Sequence, residues 1–210
     1  MAYLFISFAE FGEMLSDADV FQRYQTKRIE FERDTEISLI GHSLFDMWSD
    51  WQTNLEFKGQ TVANLAISGV SSRQYLDVIA KPQHIKKLGQ SVFFFLGVND
   101  IVKEADYSPA QVMEWLLQII EQIRPLATPN TRYFLLEATP VCRINTVTNA
   151  QIQQLNTYLA EHCPPHITFI KTFDAFADHK GDLNADLTTD GLHFNLQGYA
   201  VLRQLLESYV

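Results

Sequence analysis

Residues 37–46 read ISLIGHSLFD, and this stretch decides the fold. Ile37 to Gly41 is brief, apolar and β-branched, the pattern of a strand buried on both faces. Small polar residues follow at once. Four further segments have the same character, each bounded by Gly, Pro or polar clusters: Thr61 to Ile67, Val92 to Gly97, Arg132 to Glu137 and Ile167 to Lys171. Their spacing of roughly 25 to 40 residues is too long for hairpins and suits crossover helices between parallel strands. The expected architecture is α/β, a three-layer α/β/α sandwich around a five-stranded parallel sheet.

Helical periodicity fills the gaps. Ser108-Pro109 supplies an N-cap followed by proline at the first helical position, and Val112, Trp115, Leu116, Ile119 and Ile123 then recur at helical spacing until Pro125. Asn149 to His162 places Ile152, Leu155, Tyr158 and Leu159 on one face, and Leu196 to Tyr209 turns Tyr199, Leu202, Leu205 and Leu206 inward. Residues 1–34 form an N-terminal extension in which QRYQTKRIEFERD reads as helical, a helix for the sheet edge or for a second subunit. Whether the subunit pairs as a homodimer stays open.

The 210 residues suit one domain, and 47% hydrophobic with 20% charged residues is ample for a core. A net charge of −9 disfavours nucleic acid and anionic lipid as partners, because both need a phosphate-neutralising surface. Two cysteines, Cys142 and Cys163, imply no disulfide framework, and a reducing cytoplasm is the simpler expectation. The opening MAYLFISFAEFGEML has no Lys or Arg before its apolar part and is interrupted by Glu10 and Glu13, so it reads as mature protein rather than a signal peptide. No apolar run reaches the length of a membrane span.

In open parallel sheets, ligands bind at the carboxyl ends of strands. That edge carries Gly41-His42-Ser43 after the first strand, Ser68-Gly69-Val70-Ser71 after the second, and Gly97-Val98-Asn99-Asp100 after the third. Asp190-Gly191-Leu192-His193 stands just before the last helix. Acyl transfer needs a hydroxyl, a base to take its proton, a carboxylate to orient the base, and donors for the developing oxyanion. Ser43 is the candidate nucleophile, His193 the base and Asp190 the orienting acid. The Ser43 N–H, the Gly69 N–H and the Asn99 amide are the candidate oxyanion donors. Asp100 is expected to cap the turn that follows it.

With these residues in place, the chain resembles the SGNH (GDSL-type) hydrolase family, whose four blocks contribute Ser, Gly, Asn and His in that order. The blocks here are GHSLFD with Ser43, NLAISG with Asn64 and Gly69, GVND with Gly97 and Asn99, and DGLH with Asp190 and His193. The resemblance implies a flavodoxin-like fold over residues 35–210. It also implies ester, thioester or carbohydrate O-acyl hydrolysis without a metal or other cofactor. The expected partner is therefore a small-molecule ester or acylated sugar. His42 departs from the family, which usually has Asp there, and either supports the loop or touches substrate.

Other groupings are weaker. His42, Phe45 and Trp48 are candidates for a substrate pocket, though Phe45 and Trp48 suit helix packing equally well. The HCPPH cluster of His162, Cys163 and His166 lacks the spacing of a zinc site, and Asp174, Asp178, Asp182 and Asp186 read as a solvated face. Three functions share the pattern: a serine esterase for short acyl groups, an acyltransferase using the same acyl-enzyme, and a non-catalytic binding module of the same fold.

Overall fold

The computed structural model describes residues 15–210. The opening apolar stretch read as mature protein falls largely on residues 1–14, outside the described residues. Six strands form one sheet: β1 (Ile37–Gly41), β2 (Glu56–Phe57), β3 (Gln60–Asn64), β4 (Ser91–Phe95), β5 (Arg132–Leu136) and β6 (Ile167–Ile170). Their order is β2-β3-β1-β4-β5-β6, and every neighbouring pair is parallel except β2 with β3. The sheet therefore has six strands, not the five expected. The extra one is a two-residue antiparallel edge reached through Lys58 and Gly59, both at positive φ (48° and 78°), a turn geometry suited to a tight hairpin. Two residues are too few to show a period in the sequence.

The helices are α1 (Asp17–Lys27), α2 (Ser43–Asp46), α3 (Trp48–Trp51), α4 (Ser72–Gln74, running into a wider turn at Tyr75–Ala80), α5 (Val98–Lys103), α6 (Pro109–Ile123), α7 (Asn149–His162), α8 (Phe173–Phe176) and α9 (Leu196–Glu207). Alternation along the strands divides the core in two. Phe94 joins Ile40, Val92 and Leu135 on the face covered by α1, α4, α6 and α7. Phe93 and Phe95 join Leu39, Phe134 and Leu136 on the face covered by α2, α3, α8 and α9.

Local chemistry sets the helix starts. Ser108 accepts from the Gln111 N–H with Pro109 behind it, Thr148 and Gln151 form a reciprocal capping box, and Asn195 accepts from Gln197 and Gly198. Of the N-terminal segment, the described part contains α1 followed by a 3₁₀ turn at Arg28–Glu32. It packs on the sheet through Val20, Tyr24 and Phe31.

Chain order fixes where a site can lie. From β1 the chain moves to β3 on one side and then crosses to β4 on the other, so strand order reverses at β1. A crevice opens at the carboxyl end of such a reversal.

Candidate active site

Ser43 stands at that end. The β1 pairing with β4 runs one residue past Gly41, where the His42 N–H donates to the Phe95 carbonyl at 3.2 Å. The chain then turns into α2 with Ser43 as its first residue.

The loop before α9 approaches from the far end of the chain. One oxygen of Asp190 accepts the backbone N–H groups of Leu192 and His193 at 2.9 and 2.8 Å, curling the loop back on itself. Gly191 sits at φ +94° against the Cys142 carbonyl, and the Cys142 N–H donates to the Gly191 carbonyl at 2.8 Å. This fold-back brings Asp190 Oδ2 to 2.8 Å from His193 Nδ1 and places His193 Nε2 3.1 Å from Ser43 Oγ. A carboxylate only accepts, so Nδ1 donates and Nε2 is left to take a proton from the hydroxyl. Burial raises the Asp190 carboxyl, but the bonds from the His193 ring and from the His193 and Leu192 backbone outweigh it, and the net shift is downward. Asp190 is thus held as the anion that orients the imidazole.

The other two loops leave the same edge of the sheet and are tied to each other. Asn99 donates one amide hydrogen to the Val70 carbonyl at 2.9 Å and carries a second. Gly69 sits at φ +75°, with the Lys103 ammonium donating to its carbonyl and the Leu15 side chain lying over its α-carbon. Asp100 does not cap its own turn as expected. Its fully buried carboxyl accepts from the Ser72 N–H and hydroxyl at the start of α4. Burial pushes that carboxyl up to about 7, against the lowering effect of the Ser72 bonds.

The pocket candidates are corrected by their burial. Phe45 is 0% exposed and meets Phe95 edge-on at 5.2 Å, and Trp48 stacks on Tyr199 at 5.1 Å. Both are core, because α2 and α3 present to the sheet the side that follows the serine. His42 is also buried. Its Nδ1 accepts the Leu44 N–H at 3.4 Å, capping α2, and its ring packs against Phe95. Burial first, and the nearby His193 second, push the His42 imidazole down to about 3, so it is neutral. It supports the loop. Its Nε2 has no hydrogen-bond partner among the described residues. Trp51, by contrast, is exposed.

Asn64, the first residue of the second block, is a brace. Its amide donates to the Phe45 carbonyl (2.6 Å) and to Ser49 Oγ (3.0 Å), holding α2 and α3 to β3. Two site neighbours escaped the sequence reading. Asp46 bridges α2 to Ser68, and its spacing of three residues from Ser43 in GHSLFD was the one available signal. Lys103 had none. Of the HCPPH cluster, His162 stacks on Tyr158 and Cys163 bonds the Ile167 carbonyl. Among the described residues no helix is long and apolar enough to cross a membrane.

A doubly wound sheet whose Ser, Gly, Asn and His loops meet at its carboxyl edge defines a class of α/β hydrolase. The chain belongs to the GDSL-like Lipase/Acylhydrolase family, whose model matches residues 35–201. An N-acylneuraminate cytidylyltransferase of Escherichia coli is 34% identical over 192 residues, 91% of this chain and 44% of that protein. The chain thus spans less than half the length of that curated relative. Among solved structures, a GDSL-like lipase from Bacteroides thetaiotaomicron superposes with a TM-score of 0.71 at 19% identity, covering 92% of this chain and 98% of that one. A lipase/acylhydrolase from Enterococcus faecalis gives 0.59 at 22% identity, covering 82% and 93%. These likenesses show the fold, and the family supports acylhydrolase chemistry.

Proposed function

We propose that the chain is a serine esterase that removes short acyl groups from a small alcohol or sugar through an acyl-enzyme. The observation that carries this is the 3.1 Å approach of Ser43 Oγ to His193 Nε2, with Asp190 at 2.8 Å behind the ring. Ser43 Oγ attacks the ester carbonyl carbon as its proton passes to Nε2, and Asp190 stabilises the resulting imidazolium. The carbonyl oxygen, now an anion, is received by the N–H groups of Ser43 and Gly69 and the second amide hydrogen of Asn99. Collapse breaks the bond to the alcohol, which leaves with the proton from His193. Water then repeats the sequence, releasing the acid and restoring the serine.

The likeness to a protein named for an N-acylneuraminate supports a sugar as the alcohol portion of the ester. The test is Ser43→Ala assayed on an aryl acetate and on an O-acetylated sugar, with fluorophosphonate labelling of the unaltered protein alongside. Removing a triad nucleophile typically costs roughly 10⁶ in kcat. A loss of that order and stoichiometric labelling at Ser43 are expected. Near-native turnover by the variant overturns the esterase, and an unreactive serine leaves a binding module of the same fold.

A further inference from the structure

Helix α1 precedes the family-matched residues 35–201, yet it reaches both halves of the candidate site. Its contact point is Asp46, three residues after Ser43 on α2, with a side chain only 1% exposed. Oδ1 of Asp46 accepts from the Lys27 ammonium. Oδ2 accepts from Arg23 at 3.1 Å, from the Ser68 N–H at 2.8 Å and from the Ser68 hydroxyl at 2.6 Å. Lys27 also donates to the Ala66 carbonyl at 2.6 Å, on the same loop. Gly69, the candidate oxyanion donor, is the next residue after Ser68.

We infer that Lys27, assisted by Arg23, is a positioning residue for the reaction: it holds Asp46 as the carboxylate that anchors Ser68 and thereby aims the Gly69 N–H at the developing oxyanion. The inference rests on the esterase reading above. Its physical basis is the cost of an unpaired buried charge. A carboxylate withdrawn from water takes up a proton unless a cation compensates it, and hydrogen bonds to a neutral acid are roughly half as strong as those to its anion. Without Lys27, acid would neutralise Asp46 and slacken its grip on Ser68. A displacement of about 1 Å in a catalytic group can cost on the order of 10² in rate.

The groups facing Asp46 agree. Burial raises its carboxyl, while Lys27 first and Arg23 second lower it, for a net downward shift. Asp50 on α3 is raised by burial and then by Asp46, and Tyr199 on α9 is raised by burial and by both acids. Nothing else charged among these neighbours replaces the α1 cations.

The experiment measures kcat and KM of the full chain for an acetate ester from about pH 5.5 to about pH 8, together with the rate of fluorophosphonate labelling. Relative to the unaltered protein, Lys27→Met should keep kcat within about threefold at the alkaline end and lose roughly 10²-fold at the acid end, at unchanged KM. Lys27→Arg should restore the profile. A loss that is the same at every pH, or no loss, overturns the inference. Should Lys27→Met fail to fold, Arg23→Gln removes the half-exposed cation and should shift the profile in the same direction by less; a flat ratio there overturns it equally. If the unaltered protein itself neither turns over nor labels, the esterase reading has failed, and this assignment goes with it.

Discussion

His42 and Asp100, both buried beside the site, make stability depend on pH in opposite directions. Folded, His42 stays neutral down to about 3, whereas its ordinary value is 6.5. Between those values acid favours the unfolded chain, so His42 stability is lost as pH falls. Asp100 stays protonated to about 7 when folded but ionises near 3.8 when unfolded, so its stability is lost as pH rises through that span. Asp100→Asn keeps the shape and removes the titration. Its stability advantage over the unaltered chain should therefore grow from about pH 4 to about pH 7, by up to ~1.4 kcal/mol per pH unit. Chemical denaturation across that range checks it, and a constant difference refutes it. At this scale the sequence was informative where chemistry dictates residue type: the hydroxyl, imidazole and carboxylate that acyl transfer needs, Ser43, His193 and Asp190, lie within hydrogen-bond reach of one another. Phe45 and Trp48 stay open between pocket and helix packing at the level of sequence, because four-residue helices are too short to show which side meets the sheet. Lys27 and Asp46 were illegible as a pair, since ion-pair partners 19 residues apart leave no pattern.

Among the elements, the loop of residues 188–194 does the most for the site with the least chain. Thr188 accepts the Gly191 N–H at 2.9 Å and donates to the His193 carbonyl at 2.7 Å, while Asp190 closes the turn from inside. Gly191 is required twice over: its φ of +94° disfavours any side chain, and a Cβ would overlap the Cys142 carbonyl. Gly191→Ala should cost about 2 kcal/mol or more of stability and should lower kcat by displacing His193 from Ser43. Urea unfolding and steady-state kinetics on one preparation measure both, and a variant with native kcat would show that the ring is held by something else. The regular elements were readable because each has its own local cause. The β1 span and the α7 span are those the residues predict, and α6 starts at the Ser108-Pro109 cap. Strand ends were read too long. Leu65 and Ile67 still bond to Leu39 and Gly41 at 2.8 and 2.9 Å, but the chain is already leaving for the loop that holds Gly69.

For the whole molecule, the parallel topology separates the parts of the site along the chain. Ser43 and His193 are 150 residues apart, and the sheet that joins them must be assembled across its full width between them. Long-range parallel pairing is slow, and chains of this size commonly pass through compact intermediates. On dilution from denaturant, ester turnover should therefore return after the helical circular dichroism signal, and simultaneous recovery would contradict this. Sequence patterning indicated the layers and the parallel sheet. It did not indicate which way the sheet winds around β1, because lateral order depends on helix packing that has no local signature. If the loop before α9 docks last, intermediates with a near-native spectrum stay silent toward an ester, and on the proposed reading a newly made copy gains its activity only with that docking. On the proposed esterase reading, Ser43 gains its base only when His193, 150 residues further along, has come to rest beside it.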